Sequence, residues 1–249
     1  MSFCKDCVRG VRWDGTPAGK IEKINGVDCY VATPESDYPK DKVLLFLTDI
    51  FGVPLVNSQL VADDFANNGF KVVMPDYLNG DPVPADGLSP TNNFDLMAWF
   101  GNHTNEQTRA PLDKVIAGLK EQGVTTFGAT GYCLGGRYVF DLAFDNVIKA
   151  GVVAHPSLLE MPADGEKYAK TSVPLLVESC ETDPQFQAEK QASLDEILGG
   201  GKFAPGYKRV YWEGCTHGFA VRGDQSNPKV KEGKEGAFKD TVEWMQKYL

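Results

Sequence analysis

The rhythm of apolar and polar positions changes along the chain, and each change marks an element. Short runs in which nearly every residue is apolar recur at 43–47, 71–74, 124–130, Ala150–Ala154, 175–177 and 209–212. Such runs mark strands covered on both faces, where alternation is lost. Between them lie segments of helical period: 55–67, 94–100, 106–120, Leu134–Phe144, 186–198 and 236–248. Near the start, Lys23-Ile24-Asn25-Gly26-Val27-Asp28 sets Asn-Gly between alternating runs, which predicts a hairpin over about 20–33. Strand and helix then alternate along most of the chain. That order predicts an α/β fold, a mostly parallel sheet with helices on both faces and right-handed crossovers. Ligands of such sheets bind at the carboxyl ends of the strands, so the residues just after each strand are the candidates for chemistry.

No repeat, low-complexity tract or linker divides the chain, and residues 1–249 are expected to form a single domain. The stretch richest in Pro and Gly lies within 79–92; it reads as a long loop and a candidate lid. The net charge of -9, with no cluster of Lys and Arg, argues against nucleic acid and against anionic membranes as partners. There is no apolar segment behind a basic start, and no run of the roughly 20 apolar residues that a membrane span needs. A cytoplasmic monomer or homodimer is the expectation. The six cysteines (Cys4, Cys7, Cys29, Cys133, Cys180 and Cys215) are scattered through a chain with ample apolar residues, so reduced thiols are expected. Cys4 and Cys7 lack both the preceding strand of a redox pair and the two further ligands of a zinc site. Neither a metal nor a cofactor is expected.

Chemistry concentrates after three strands. The strand at 124–130 runs into Gly131-Tyr132-Cys133-Leu134-Gly135-Gly136 and then an apolar helix. This is a nucleophile elbow, G-x-S-x-G, with Cys in place of Ser. So sharp a turn strains the central residue and tolerates only small residues two positions away. It would project the thiol at a helix N-terminus, where dipole and free N–H groups favour negative charge. A base is needed beside it. His217, in Gly214-Cys215-Thr216-His217-Gly218, directly follows the strand at 209–212. His155 also follows a strand and is a candidate for the pocket or for a structural hydrogen bond; His103 reads as surface or lid. Asp183, after the strand at 175–177, is the expected orienter of His217, with helix capping ahead of Pro184 as its competing role and Glu181 as the alternative carboxylate. Nucleophile, acid and histidine then appear in the chain order of the α/β-hydrolase fold.

The segments Asp49-Ile50-Phe51-Gly52-Val53, Met74-Pro75-Asp76-Tyr77, Gly131-Tyr132-Cys133-Leu134-Gly135-Gly136 and His217-Gly218-Phe219-Ala220-Val221-Arg222 resemble the dienelactone hydrolase (carboxymethylenebutenolidase) family. The resemblance runs from about Val43 to the C-terminus, and Cys4-Lys5-Asp6-Cys7 is similar to the eukaryotic, particularly fungal, branch. It implies a Cys133–His217–Asp183 triad without cofactor or metal, and an oxyanion hole of the Ile50 and Leu134 N–H groups. It also implies a small ester or lactone as substrate. Asp49 stands where the bacterial pattern has a Glu that handles the thiol proton. Arg222 matches a family arginine that binds substrate, while the arginine expected soon after Tyr77 is missing. Tyr132, flanking the thiol, is taken as a second substrate-binding residue. A thioesterase or general small-ester esterase, a non-catalytic binding protein of the same fold and a peroxide-sensing role for Cys133 remain as alternatives.

Overall fold

The computed structural model describes residues 14–89 and 91–249, so the Cys4/Cys7 pair lies outside the described residues. In chain order the elements are β1 (Lys20–Ile24), β2 (Val27–Ala32), β3 (Lys42–Leu47), α1 (Val56–Asn67), β4 (Val72–Pro75), α2 (Leu96–Gly101), α3 (Asn105–Glu121), β5 (Thr126–Tyr132) and α4 (Leu134–Phe144). Then follow β6 (Ala150–Ala154), α5 (Ala163–Tyr168), β7 (Leu175–Thr182), α6 (Ala188–Leu198), β8 (Tyr207–Thr216), α7 (Phe219–Arg222) and α8 (Pro228–Tyr248). The eight strands form one sheet in the order β1-β2-β4-β3-β5-β6-β7-β8. Strands β4, β3, β5, β6, β7 and β8 are mutually parallel, and β2 pairs antiparallel with β1 and β4. The β1–β2 turn matches the expected hairpin: Asn25 (φ 46°) and Gly26 (φ 83°) both take the positive φ that its tight turn needs.

The apolar runs are explained by two cores, one on each side of the sheet. Along β3, Val43, Leu45 and Leu47 face the core formed with α3, α4 and α6, where Leu112, Val115, Val139 and Leu194 pack. Leu44 and Phe46 face the opposite core, with Phe65 of α1 and Phe238 and Val242 of α8. Successive side chains of a strand point to opposite faces, so a strand covered on both sides must be apolar throughout.

This order places a topological switch at the centre. The chain steps from β3 outward to β4, then returns across β3 to β5 and continues the other way. Crossovers leave the two strands toward opposite faces there, and a crevice opens at their carboxyl ends. The ends of β3 and β5 carry Asp49-Ile50 and Cys133.

Several elements extend beyond the pattern. Strand β7 runs five residues past 177, β8 covers Tyr207–Thr216 where 209–212 was expected, and α8 starts at Pro228 where 236 was expected. Pro228 takes the first helical turn, and the Asn227 side chain accepts from Lys229 N–H (3.0 Å), a capped start that the Lys/Glu-rich composition of the first two turns conceals. Helices α5 and α7, of six and four residues, are too short to show a period.

Candidate functional site

At the end of β5 the chain turns through Cys133 with φ 51° and ψ −114°, outside the regions L-residues normally occupy. The turn is tight because neighbouring backbone closes on it: a Cβ on Gly131 would strike the Gly135 carbonyl, and one on Gly135 the Leu47 carbonyl. Four hydrogen bonds hold it. Cys133 N–H donates to Ala154 O (3.2 Å), Gly135 N–H to Thr48 O (3.1 Å), and both Gly136 N–H (3.0 Å) and Ser157 N–H (2.9 Å) to Cys133 O. The strain is thus held by β3, β6 and α4 together. Leu134 N–H, first in α4, and Ile50 N–H, just past β3, have no acceptor among the described residues.

Asp183 and His217 come from the ends of β7 and β8, whose pairing extends to Thr182 opposite Thr216. His217 N–H also donates to Thr182 O (3.0 Å). The His217 Nδ1 and Asp183 Oδ1 atoms lie 2.9 Å apart, and the same Oδ1 accepts from Gln185 N–H (2.8 Å) and Phe186 N–H (3.1 Å). Asp183 does not cap a helix, since α6 begins at Ala188 with Gln187 at its N-cap; the oxygen that meets His217 holds the turn at Gln185 and Phe186 instead. Glu181 lies apart: its Oε2 accepts from Gly214 N–H (2.6 Å) and it is exposed. Burial would raise the Asp183 pKa, but the bonds from His217, Gln185 and Phe186 hold it below the ordinary carboxylate range. Burial pulls His217 down, yet the hydrogen bond to Asp183 and the neighbouring Cys133 sulfur outweigh it and push the imidazole up to about 9.

The structure adds Ser157, whose Oγ lies 3.2 Å from the Cys133 Sγ. It belongs to the loop after β6, the strand beside β5, which is the signal that could have found it. Asp49 makes its hydrogen bonds elsewhere than to the thiol. Its Oδ1 accepts from Phe51 N–H (3.0 Å) and its Oδ2 from Arg222 Nε (2.7 Å), so among the described residues the carboxylate is bonded to Arg222 and not to the thiol. The Arg222 guanidinium stacks on Phe51, 4.7 Å from its centroid, and lines the cavity above the thiol. Tyr132 is also placed differently. As the residue before Cys133 it faces the other side of the sheet, stacked on Phe46 at 4.7 Å in the core, and does not reach the cavity. Its phenol is pushed far up by burial.

His155 is fully buried between His217, Phe219 and Tyr132, with ring centroids 4.9, 5.5 and 6.2 Å away, and neither ring nitrogen has a partner. Burial, then the charges of His217 and Arg222, hold its pKa well below 6.5. His103 is buried rather than on the surface. It stacks on Trp99, and its Nε2 lies 3.3 Å from Leu78 O while Trp99 Nε1 donates to Asp81 O (2.8 Å), contacts that tie α2 to the loop after β4. Among the described residues no group of three His, Cys, Asp or Glu side chains is gathered to hold a metal.

A cavity of about 480 Å³ opens over the thiol, with Cys133, Ser157, His217 and Arg222 among its lining residues. The model of the dienelactone hydrolase family matches residues 27–249. The chain belongs to the dienelactone hydrolase family. Its reaction class is hydrolysis of a carboxylic ester or lactone. It is 35% identical to the hydrolase pyvD of Aspergillus violaceofuscus, the alignment covering 98% of this chain and 96% of the relative. It is 33% identical to dienlactone hydrolase 1 of Gibberella moniliformis (98% and 93% covered) and 27% identical to the carboxymethylenebutenolidase homolog of Mus musculus (93% and 91%). Among solved structures, the dienelactone hydrolase-like promiscuous phosphotriesterase P91 from metagenomic libraries superposes with a TM-score of 0.66 at 20% identity, over 92% of this chain and 96% of that one. The dienelactone hydrolase of Anabaena variabilis gives 0.64 at 12%, over 94% and 100%. These likenesses show the α/β-hydrolase fold.

Proposed function

We propose that this member of the dienelactone hydrolase family cleaves its ester or lactone through a thioester on Cys133. One observation carries the reading: an imidazole held by a buried carboxylate lines the same cavity as the sulfur of a strained cysteine, at the switch point of the sheet.

In this mechanism His217 takes the proton of Cys133, and the sulfur attacks the carbonyl carbon. The Ile50 and Leu134 N–H groups, without acceptors of their own, receive the oxyanion. The C–O bond breaks as His217 returns the proton to the departing alkoxide, leaving the acyl group on sulfur. Water then gives a proton to His217 while its oxygen attacks the thioester carbon. The C–S bond breaks, the carboxylic acid departs, and the proton returns to the thiolate. Asp183 fixes the tautomer that points Nε2 at the reacting atoms and stabilises the imidazolium. Ser157 Oγ, 3.2 Å from the sulfur, holds the thiol from the loop after β6. Arg222, held by Asp49 through Nε, presents Nη groups with no acceptor among the described residues to a carbonyl oxygen of the substrate.

The test is to quench the enzyme during turnover of p-nitrophenyl acetate and digest it. One acetyl group on the Cys133 peptide is expected, and its absence from Cys133→Ala together with loss of turnover. Turnover surviving in Cys133→Ala, or acetyl on another residue, overturns the mechanism.

A further inference from the structure

The walls of the cavity over Cys133 are built for a substrate that the reacting groups alone do not specify. Ile50, Leu96, Phe100, Leu134 and Pro184 line it, so the surface around the thiol is apolar. Six large apolar side chains are exposed among the described residues, and three of them gather on this cavity: Met97 at 79%, Leu88 at 49% and Leu158 at 47%. Single exposed apolar residues are ordinary; three rimming one cavity beside a reactive thiol mark a binding surface. Leu158 adds an independent sign. Its backbone holds φ 59°, which a bulky residue adopts only under constraint, one residue after the Ser157 N–H that clamps the elbow. The strained loop thereby sets an isobutyl group against water at the mouth.

The polar complement is small. Among the described residues Arg222 is the only Lys or Arg lining the cavity, and its charge is already matched by Asp49 at 2.7 Å. A substrate recognised by charge would need cations that this wall does not carry. An apolar body, by contrast, finds Met97, Leu88 and Leu158 along its length, and the volume of about 480 Å³ lies in the range of sites that bury a drug-sized ligand.

Resting on the thioester reading above, we infer that the enzyme acts on esters or lactones carrying an extended apolar body, alkyl or aryl, that lies across Leu88, Met97 and Leu158 while the carbonyl sits at Cys133. The reactive end supplies the chemistry, and the apolar body supplies the affinity.

The experiment compares p-nitrophenyl esters from acetate to octanoate and a small carboxylated lactone, in the wild type, Met97→Glu, Leu158→Asp and Ile21→Glu. Each methylene that enters an apolar site contributes up to roughly fourfold, so kcat/KM is expected to rise about 100-fold or more from acetate to octanoate. Met97→Glu and Leu158→Asp should each lower the octanoate-to-acetate ratio at least about fivefold. Ile21, on β1 and 56% exposed, is the remote control, and Ile21→Glu should leave the ratio unchanged. A flat chain-length profile, a preference for the carboxylated lactone, or a ratio indifferent to both rim variants overturns the inference, while acetyl labelling of Cys133 shows that the thioester reading stands. Absence of both turnover and Cys133 labelling removes that reading and this inference with it.

Discussion

The floor and the mouth of the cavity are held in opposite ways. On the floor, Cys133, Asp183 and His217 stand at the ends of three parallel strands, and the elbow and the His217–Asp183 pair are fixed by hydrogen bonds from neighbouring elements. At the mouth, Met97 sits on a helix of six residues and Leu88 in the turns before it, with apolar surface facing water. The contrast separates two demands. Bond making needs atoms held within a fraction of an ångström, which the sheet supplies. Fitting different substrate bodies needs surface that can vary without disturbing the sheet, and short surface segments supply that.

If the floor is as tightly specified as its hydrogen bonds indicate, its largest sensitivity is at the carboxylate. Asp183→Asn should lower kcat for p-nitrophenyl acetate by at least about 100-fold, because the wrong imidazole tautomer then faces the thiol. Glu181→Gln, two residues away but bonded to Gly214, should change kcat little. The reverse order of losses would transfer the role to Glu181 and break the picture of the floor.

Arg222 is where floor and mouth join. Arg222→Ala leaves the fully buried Asp49 carboxylate without its cation. The loss in urea-denaturation stability should be about 2 kcal/mol, less than for a wholly buried pair because Arg222 is partly exposed. Adding Asp49→Asn should restore more than half of it. Simple additivity of the two changes would mean that the pair is not coupled.

A pH dependence sharpens the comparison within the floor. His155 is held neutral, well below 6.5, whereas in the unfolded chain it protonates near 6.5. Its contribution is whole above that pH and lost as the pH falls below it, by up to ~1.4 kcal/mol per unit. His217 has the opposite sign. Its folded pKa is about 9, so its contribution is whole below 6.5 and lost as the pH rises toward about 9. Their combined contribution therefore peaks near pH 6.5. In denaturation midpoints measured from pH 5 to 9, His155→Leu should flatten the acid limb and His217→Gln the alkaline limb. An acid limb unchanged in His155→Leu would show that the buried imidazole carries none of it.

What could be read from the sequence follows the range of the forces involved. The positions of Cys133, Asp183 and His217 after their strands were legible because turn chemistry and strand order are local. Ser157 was not, since it meets the thiol across 24 residues, nor was the Asp49–Arg222 pair, which spans 173. A carboxylate expected near the sulfur found a stronger partner, a guanidinium that only the folded chain brings to it. Tyr132 shows a finer failure: adjacency to Cys133 in sequence placed it on the opposite face, as the alternation of a strand requires. Within 79–92, the candidate lid, Leu88 reaches the mouth and Asp81 O accepts from Trp99 Nε1 of the following helix.

The positive φ at Cys133 sets thermostability and activity against each other at one residue. Glycine would occupy that backbone conformation without steric cost, though with more entropy to lose on folding. In a laboratory selection for thermal resistance alone, position 133 is therefore one where replacements that abolish the chemistry are not opposed by the backbone. A selection that also demands turnover must seek its stability elsewhere, in α8 or the β1–β2 hairpin, where no side chain reaches the cavity.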